Sequence, residues 1–195
     1  MPAPPPSSFI AGRLALDFAN TAPFSRELSW SDFVLFLAQA KVITGERAAR
    51  LRSLEDSDPQ AADAVRLKML RLRESVRAVF SARSDKKPIA KNWVEPINDI
   101  LRITEGHDEL SQQGEHWQLR FIARESGLEW LLAAIARSAA ELLVEGPQAP
   151  VRRCANPNCR LFFYDASRTR RRRWCSMAAC GNRHKVSAFL KRRRH

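Results

Sequence analysis

The sequence predicts a mainly α-helical protein in two parts. An N-terminal helical bundle carries one small β-hairpin, and a C-terminal unit is built from a second hairpin and a helix. Three observations predict this. Apolar residues recur at intervals of three and four through most of the body, while the stretch from Trp117 to Phe121 alternates with period two. All four cysteines lie in the last quarter as two Cys-x4-Cys pairs, Cys154/Cys159 and Cys175/Cys180, with fifteen residues between the pairs.

The chain of 195 residues, 45% of them apolar, is long enough for one or two domains with a substantial core. It contains no apolar run of about eighteen residues, so no membrane-spanning helix is expected. The opening Met1-Pro-Ala-Pro-Pro-Pro-Ser-Ser8 lacks the charged end and apolar run of a secretory signal and reads as a flexible proline-rich leader. A cytoplasmic protein is expected, in which paired cysteines hold metal rather than form disulfides. The net charge of +12 is unevenly divided. Residues 151–195 carry fourteen Lys and Arg against one acid, Asp165, giving +13, while residues 1–150 carry nineteen against twenty. A neutral body with a cationic appendage points to a polyanionic partner, nucleic acid before an acidic membrane surface.

Along the body, Phe9 to Thr21 places Asp17, Asn20 and Thr21 on one helical face. They form either a polar patch for a ligand or a set of hydrogen bonds to nearby backbone that ends the segment. Ser29 and Asp32 make a capping box ahead of Phe33, Val34, Leu37 and Ala40. Thr44 and Glu46 open a short helix through Ala48, Leu51 and Leu54. Asp58-Pro59 caps a long one with Val65, Met69, Leu72, Val76 and Val79 along one stripe. Arg66, Lys68, Arg71, Arg73 and Arg77 on its other faces, interspersed with Asp63 and Glu74, read as a solvated surface. Trp93, Ile97, Ile100 and Leu101 keep helical spacing, with Pro96 beginning or kinking that helix. A Ser111–Gly114 turn pairs the alternating strand with residues around Glu109, and His107 and His116 flanking it read as surface residues. Ser126 and Glu129 form a second capping box opening a helix through Leu128, Leu131, Leu132, Ile135, Ala139 and Leu142, which Gly146 ends. The boundary falls there, giving a body of residues 1–146 and a C-terminal unit of residues 147–195.

In that unit, Val151–Cys154 and Leu161–Asp165 read as strands joined by the Asn156-Pro-Asn158 turn. So small a core needs a metal to fold, and four thiolates suit one structural Zn²⁺ held by Cys154, Cys159, Cys175 and Cys180. Cys175 and Cys180 are about 140° apart on a regular helix and cannot face one ion from a continuous one. Cys175 is therefore expected on the turn before the helix, Ser176 near the cap and Cys180 in or beside the first turn. Val186, Phe189 and Leu190 are expected to pack back on the hairpin in a treble-clef-like arrangement. His184 is an alternative ligand. A closed set of cysteines leaves no open position for catalytic water, so hydrolysis is not expected.

The cationic residues form two clusters: Arg168, Arg170, Arg171, Arg172 and Arg173 between the cysteine pairs, and Lys191, Arg192, Arg193 and Arg194 at the end, with Arg183 and Lys185 on the helix. Together they predict phosphate contact, with Trp174 and Tyr164 available for stacking or for packing.

Cys180-Gly181-Asn182-Arg183, following Cys154-x4-Cys159 and Trp174-Cys175, resembles the CGNR zinc finger of bacterial proteins. Gly12-Arg-Leu-Ala-Leu-Asp-Phe-Ala-Asn-Thr21 resembles the start of the ABATE domain that accompanies it. The resemblance implies a bacterial, stress-responsive transcription regulator that binds DNA in the nucleoid, with a helical body that senses or dimerises. Gly181 would permit close approach beside the metal, and Asn182 and Arg183 would contact DNA or support the zinc site. The alternatives are an RNA-binding or ribosome-associated regulator using the same arginines, and a small-molecule-binding body for which the finger is a protein-contact module. An enzyme is not expected, since residues 1–146 hold no phosphate loop, nucleophile elbow or metal-ligand histidine pair. A homodimer and a small-molecule effector are both compatible with this reading.

Overall fold

The computed structural model describes residues 9–22, 27–114, 116–125 and 127–193; the leader, Glu115, Ser126 and Arg194 lie outside them. Helix α1 (Leu14–Ala19) is followed by α2 (Trp30–Gln39), α3 (Gly45–Arg52), α4 (Leu54–Ser57), α5 (Pro59–Ser84) and α6 (Lys91–Ile103). A hairpin of β1 (Gly106–Gln113) and β2 (His116–Ala123) precedes α7 (Trp130–Val144). After a 3-10 turn at Gly146–Gln148, β3 (Val151–Arg153) pairs antiparallel with β4 (Phe162–Tyr164), and the chain ends in α8 (Asn182–Arg192).

The helix starts follow from their caps. The Ser29 hydroxyl accepts from the Asp32 amide at 3.0 Å, that of Thr44 from Arg47 at 3.3 Å, and the Asp58 carboxylate from Ala61 at 3.1 Å, with Pro59 in the first turn. Each cap satisfies a donor with no intrahelical partner. Gly146 takes a left-handed φ of 67° just past α7. Helix α5 is the spine of the body. Val65, Met69, Leu72, Val76 and Val79 are buried along it, against α1, α2, α6 and α7.

Several local expectations are corrected. The helix in the first segment spans only Leu14–Ala19. Ser126 of the second capping box lies outside the described residues; the Glu129 carboxylate accepts from the Leu128 amide at 3.1 Å and pairs with Lys68 at 2.5 Å, and α7 begins at Trp130, later than expected. Pro96 lies inside α6 rather than at its start, and its missing N–H forgoes the helical hydrogen bond to the Asn92 carbonyl. The hairpin register pairs Gln113 with His116, so the turn is shorter than expected, with Gly114 at φ 61°. Helix α5 is not uniformly solvated on its basic faces. Arg73 is buried and donates to the Thr21 hydroxyl at 3.3 Å, and Arg77 donates to the Ala19 carbonyl at 2.8 Å.

The C-terminal hairpin is built into the body. Strand alternation sends Val151 and Phe162 into the main core with α1 and α5, and Leu161 and Phe163 into a second core with the four cysteines, Ile10 and Trp174. Asn20 closes the seam: its amide donates to the Phe162 carbonyl and its carbonyl accepts from the Phe162 amide, both at 2.8 Å. The Tyr164 amide adds a bond to the Ala11 carbonyl at 2.7 Å, and Arg153 reaches Asp85 on the turn after α5 at 3.3 Å. Burying a residue such as Phe162 stabilises the fold by about 1.5–3 kcal/mol, so the body and the hairpin support each other.

Candidate metal centre and basic loop

The hairpin delivers the first cysteine pair. The Cys154 amide bonds to the Leu161 carbonyl at 2.8 Å, and the Cys159 amide closes on the Asn156 carbonyl at 2.9 Å. Asn156 also accepts the Asn158 amide on its side chain at 3.1 Å, an Asx turn that fixes the tight reversal. Arg160 leaves this knuckle with φ 55°.

The second pair comes from an unusual turn. Cys175 precedes it, the Ser176 side chain caps it by accepting the Ala179 amide at 3.4 Å, and Met177–Gly181 form a π-helical turn. The Ser176 carbonyl accepts from both Cys180 and Gly181 at 3.0 Å. Because Ser176 is extended, with φ −153° and ψ 135°, Cys175 stands before the turn rather than on it, and two cysteines five apart can face one point, which a continuous helix forbids. Cys180 lies within the π-turn that immediately precedes α8.

All four sulfurs lie within 4.8 Å of one another and are buried. Cys159 Sγ is 3.5 Å from Cys175 Sγ, which is 3.7 Å from Cys180 Sγ. A ZnS4 tetrahedron with bonds of about 2.3 Å has edges of about 3.8 Å, so the donor set fits one zinc ion. Hydrogen bonds from the Cys159 and Cys175 thiols hold Cys154 well below the usual thiol range, while its proximity pushes Cys159 and Cys175 up. Packed thiols allow the first to ionise and resist the next; a divalent cation offsets that repulsion. The Cys175 amide points at Cys154 Sγ at 3.4 Å and the Asn156 amide at Cys180 Sγ at 3.5 Å, donors that support thiolate ligands. When bound, zinc supplies the cross-link that ties knuckle to helix. His184 stands apart from the sulfur cluster; its exposed ring packs on Trp174 with centroids 4.8 Å apart.

Between the pairs, Asp165 organises the arginine loop. It is fully buried and accepts from the Ser167 amide at 3.2 Å, the Ser167 hydroxyl at 2.5 Å and the Arg172 amide at 2.9 Å, with Arg152 Nε at 3.2 Å. Burial pushes its carboxyl up, but these donors outweigh it and hold the group below its ordinary value. Arg172 turns inward, donating to the Trp174 carbonyl at 2.8 Å and to the Cys175 carbonyl, with its guanidinium 4.5 Å from the centre of the Phe163 ring. It braces the zinc loop. Arg168, Arg170, Arg171 and Arg173 are exposed.

On α8, Asn182 and Lys185 are exposed and Arg183 is half-buried. The helix backbone carries Lys191 and Arg192, whose side chains are outside the described set, as is Arg194; Arg193 is exposed with its guanidinium 5.4 Å from the Phe189 ring centre. The expected packing of α8 is not observed. Val186, Phe189 and Leu190 are between 52% and 57% exposed, because the side of the hairpin they were to cover is already filled by the cysteines, Ile10 and Trp174. Gly181 lies close against side chains: a Cβ there would lie 2.7 Å from Met177 Sδ and 3.4 Å from Trp174.

In the sequence Asp165 reads as the finger's one acid and the end of a strand, and nothing local pairs Asn20 with Phe162. A lone acid in a basic segment is the signal that could have pointed to the role of Asp165 in the loop.

The fold and this site define a helical protein that carries a four-cysteine zinc finger docked on its body. Residues 151–193 match the CGNR zinc finger, and residues 12–146 match the ABATE domain, described as "Putative stress-induced transcription regulator". The chain belongs to this family of ABATE-domain proteins with a CGNR finger. No curated protein matches it. Among the described residues no helix is long and apolar enough to cross a membrane.

Proposed function

We propose that this protein is a bacterial transcription regulator that binds duplex DNA through its zinc finger, in the cytoplasm and at the nucleoid, with no catalytic activity. The helical body acts as its sensor or dimerisation module. One observation carries the reading: four arginines, Arg168, Arg170, Arg171 and Arg173, are exposed on the zinc-held loop, while the finger's single acid, Asp165, is buried and fully engaged within it. The loop thus presents its positive charge to solvent without an acid to balance it, the arrangement that neutralises phosphates.

The RNA reading has less support. Tyr164, a candidate stacking residue, donates to Glu145 at 3.0 Å and lies under Arg13, whose guanidinium is 4.0 Å from its ring centre. One neighbour of Trp174 is already the His184 ring.

The test is fluorescence anisotropy of the zinc-loaded full chain with a labelled duplex and with a structured RNA across a salt series. Four phosphate contacts imply roughly a hundredfold loss of duplex affinity between about 50 and about 200 mM salt. A flat salt response, or preference for the RNA, would contradict the proposal.

A further inference from the structure

A cavity of about 350 Å³ opens at the seam where α5 meets the finger. Arg77 and Ser81, one turn apart on α5, face Arg153, Asn156, Arg160 and Phe162 of the finger across it, beside the zinc ligand Cys154. Arg77 and Arg153 share the Phe162 ring, their guanidinium carbons 5.5 Å and 5.7 Å from its centre. The ring fixes both cations at the wall of the cavity. Arg153 is further held by the Ser81 hydroxyl at 2.5 Å and by Asp85, a single half-exposed acid at 3.3 Å. Arg160 stands exposed at the wall, on a residue held in the left-handed region by the turn that closes the knuckle. Three guanidiniums therefore converge on one concavity.

Their charges act on one another. Burial draws the Arg77 guanidinium below its ordinary value, Glu74 opposes this, and Arg153 and Arg160 lower it further. The polar side chains in the lining are mainly donors: three guanidiniums, of which Arg77 already spends one N–H on the Ala19 carbonyl, and the Ser81 hydroxyl, while the Asn156 side-chain amide is turned to Cys180 Sγ. Such a lining complements a compact anion with several acceptor oxygens, and forked guanidiniums match a phosphate in particular. The volume lies at the small end of the range for small-molecule sites.

We infer that this seam cavity is a phosphate-binding site, holding the phosphate group of its ligand between Arg77 of the body and Arg153 and Arg160 of the finger. An occupant bridges the sensor body and the zinc knuckle, so its binding is coupled to how firmly the finger is docked. That phosphate belongs either to a small phosphorylated molecule or to the backbone of bound nucleic acid. Phosphate binding itself stands apart from the DNA-binding reading.

Isothermal titration of the zinc-loaded full chain with inorganic phosphate, at ionic strength held constant with chloride, tests it. Saturable binding is expected, weakened about tenfold or more in Arg160→Gln and Arg153→Gln and unchanged in Arg102→Gln on α6. Arg160 is exposed, so its variant retains the fold, which zinc content and circular dichroism verify. Absence of saturable binding, or unchanged binding in Arg160→Gln, overturns the inference. Repeating the titration with duplex DNA present separates the two sources. Displacement of phosphate assigns the site to the nucleic-acid backbone, and undiminished binding assigns it to a small phosphorylated ligand; a chain that binds phosphate but no DNA keeps this site and loses the proposed function.

Discussion

Asn20 and Phe162, 142 residues apart in the chain, exchange two hydrogen bonds of 2.8 Å through which the cap of the first helix grips the finger's second strand. Both backbone groups of Phe162 are buried at this seam, so neither is satisfied by water. Asn20→Ala leaves a buried donor and a buried acceptor without partners and is expected to cost about 2–4 kcal/mol, measured by urea denaturation. An unchanged midpoint would show that the seam does not hold the finger.

Zinc removal reaches beyond the finger for the same reason. Chelation, or Cys175→Ser, is expected to abolish the stoichiometry of one zinc per chain and to unfold the finger, since metal binding supplies most of its folding free energy. The helices of the body persist, but with Val151 and Phe162 lost from their core they melt at a lower temperature than in the holo protein. Circular dichroism with metal analysis checks both. Identical melting of the body with and without zinc would contradict the docked arrangement.

Two neighbouring arginines are expected to fail differently. Arg171→Ala, at an exposed position, should leave stability unchanged and reduce the salt slope of duplex binding by about 0.9. Arg172→Ala removes donors to the Trp174 and Cys175 carbonyls and should destabilise the zinc loop by about 1–3 kcal/mol, read as easier zinc loss to a chelator. Equal effects of the two variants on both readouts would erase the distinction.

Asp17 gives the body a signature in acid. Burial raises its carboxyl from 3.8 to about 6, against the opposing amides of Ala11 and Ile10. The folded protein therefore binds a proton that the unfolded chain releases, and stability falls as pH rises from about 4 to about 6. Asn at this position keeps an acceptor for the Ala11 amide, 2.9 Å away, without the charge. Asp17→Asn should remove that slope and match or exceed the wild type above pH 6, by at most about 3 kcal/mol. Parallel pH profiles of the two proteins, measured by denaturation, would contradict it.

The parts of the fold legible in the sequence are those set by local chemistry. Ser29, Thr44 and Asp58 announce their helices because a cap acts within three residues, and the buried stripe of α5 follows from its period. The cysteine spacing likewise carried the metal centre, down to the break between Cys175 and Cys180. What stayed hidden depends on partners distant in sequence. Period-two alternation marked Leu161–Asp165 as a strand, yet nothing local says that Phe162 and Phe163 enter different cores. Val186, Phe189 and Leu190 have the spacing of a buried face, but Ile10 and Trp174 already occupy the place they would fill. Basic residues look alike as letters: Arg172 is a brace and Arg171 is exposed because of Asp165, whose role requires the loop to be closed.

The central claim is that zinc organises these arginines for DNA. Genome-wide crosslinking of the tagged full chain in its host, with DNA and RNA recovered in parallel and Cys175→Ser as control, tests it most directly. The account predicts enrichment at a limited set of promoters that disappears in the variant. Enrichment in RNA alone, or promoter occupancy that survives loss of the zinc ligand, would contradict it.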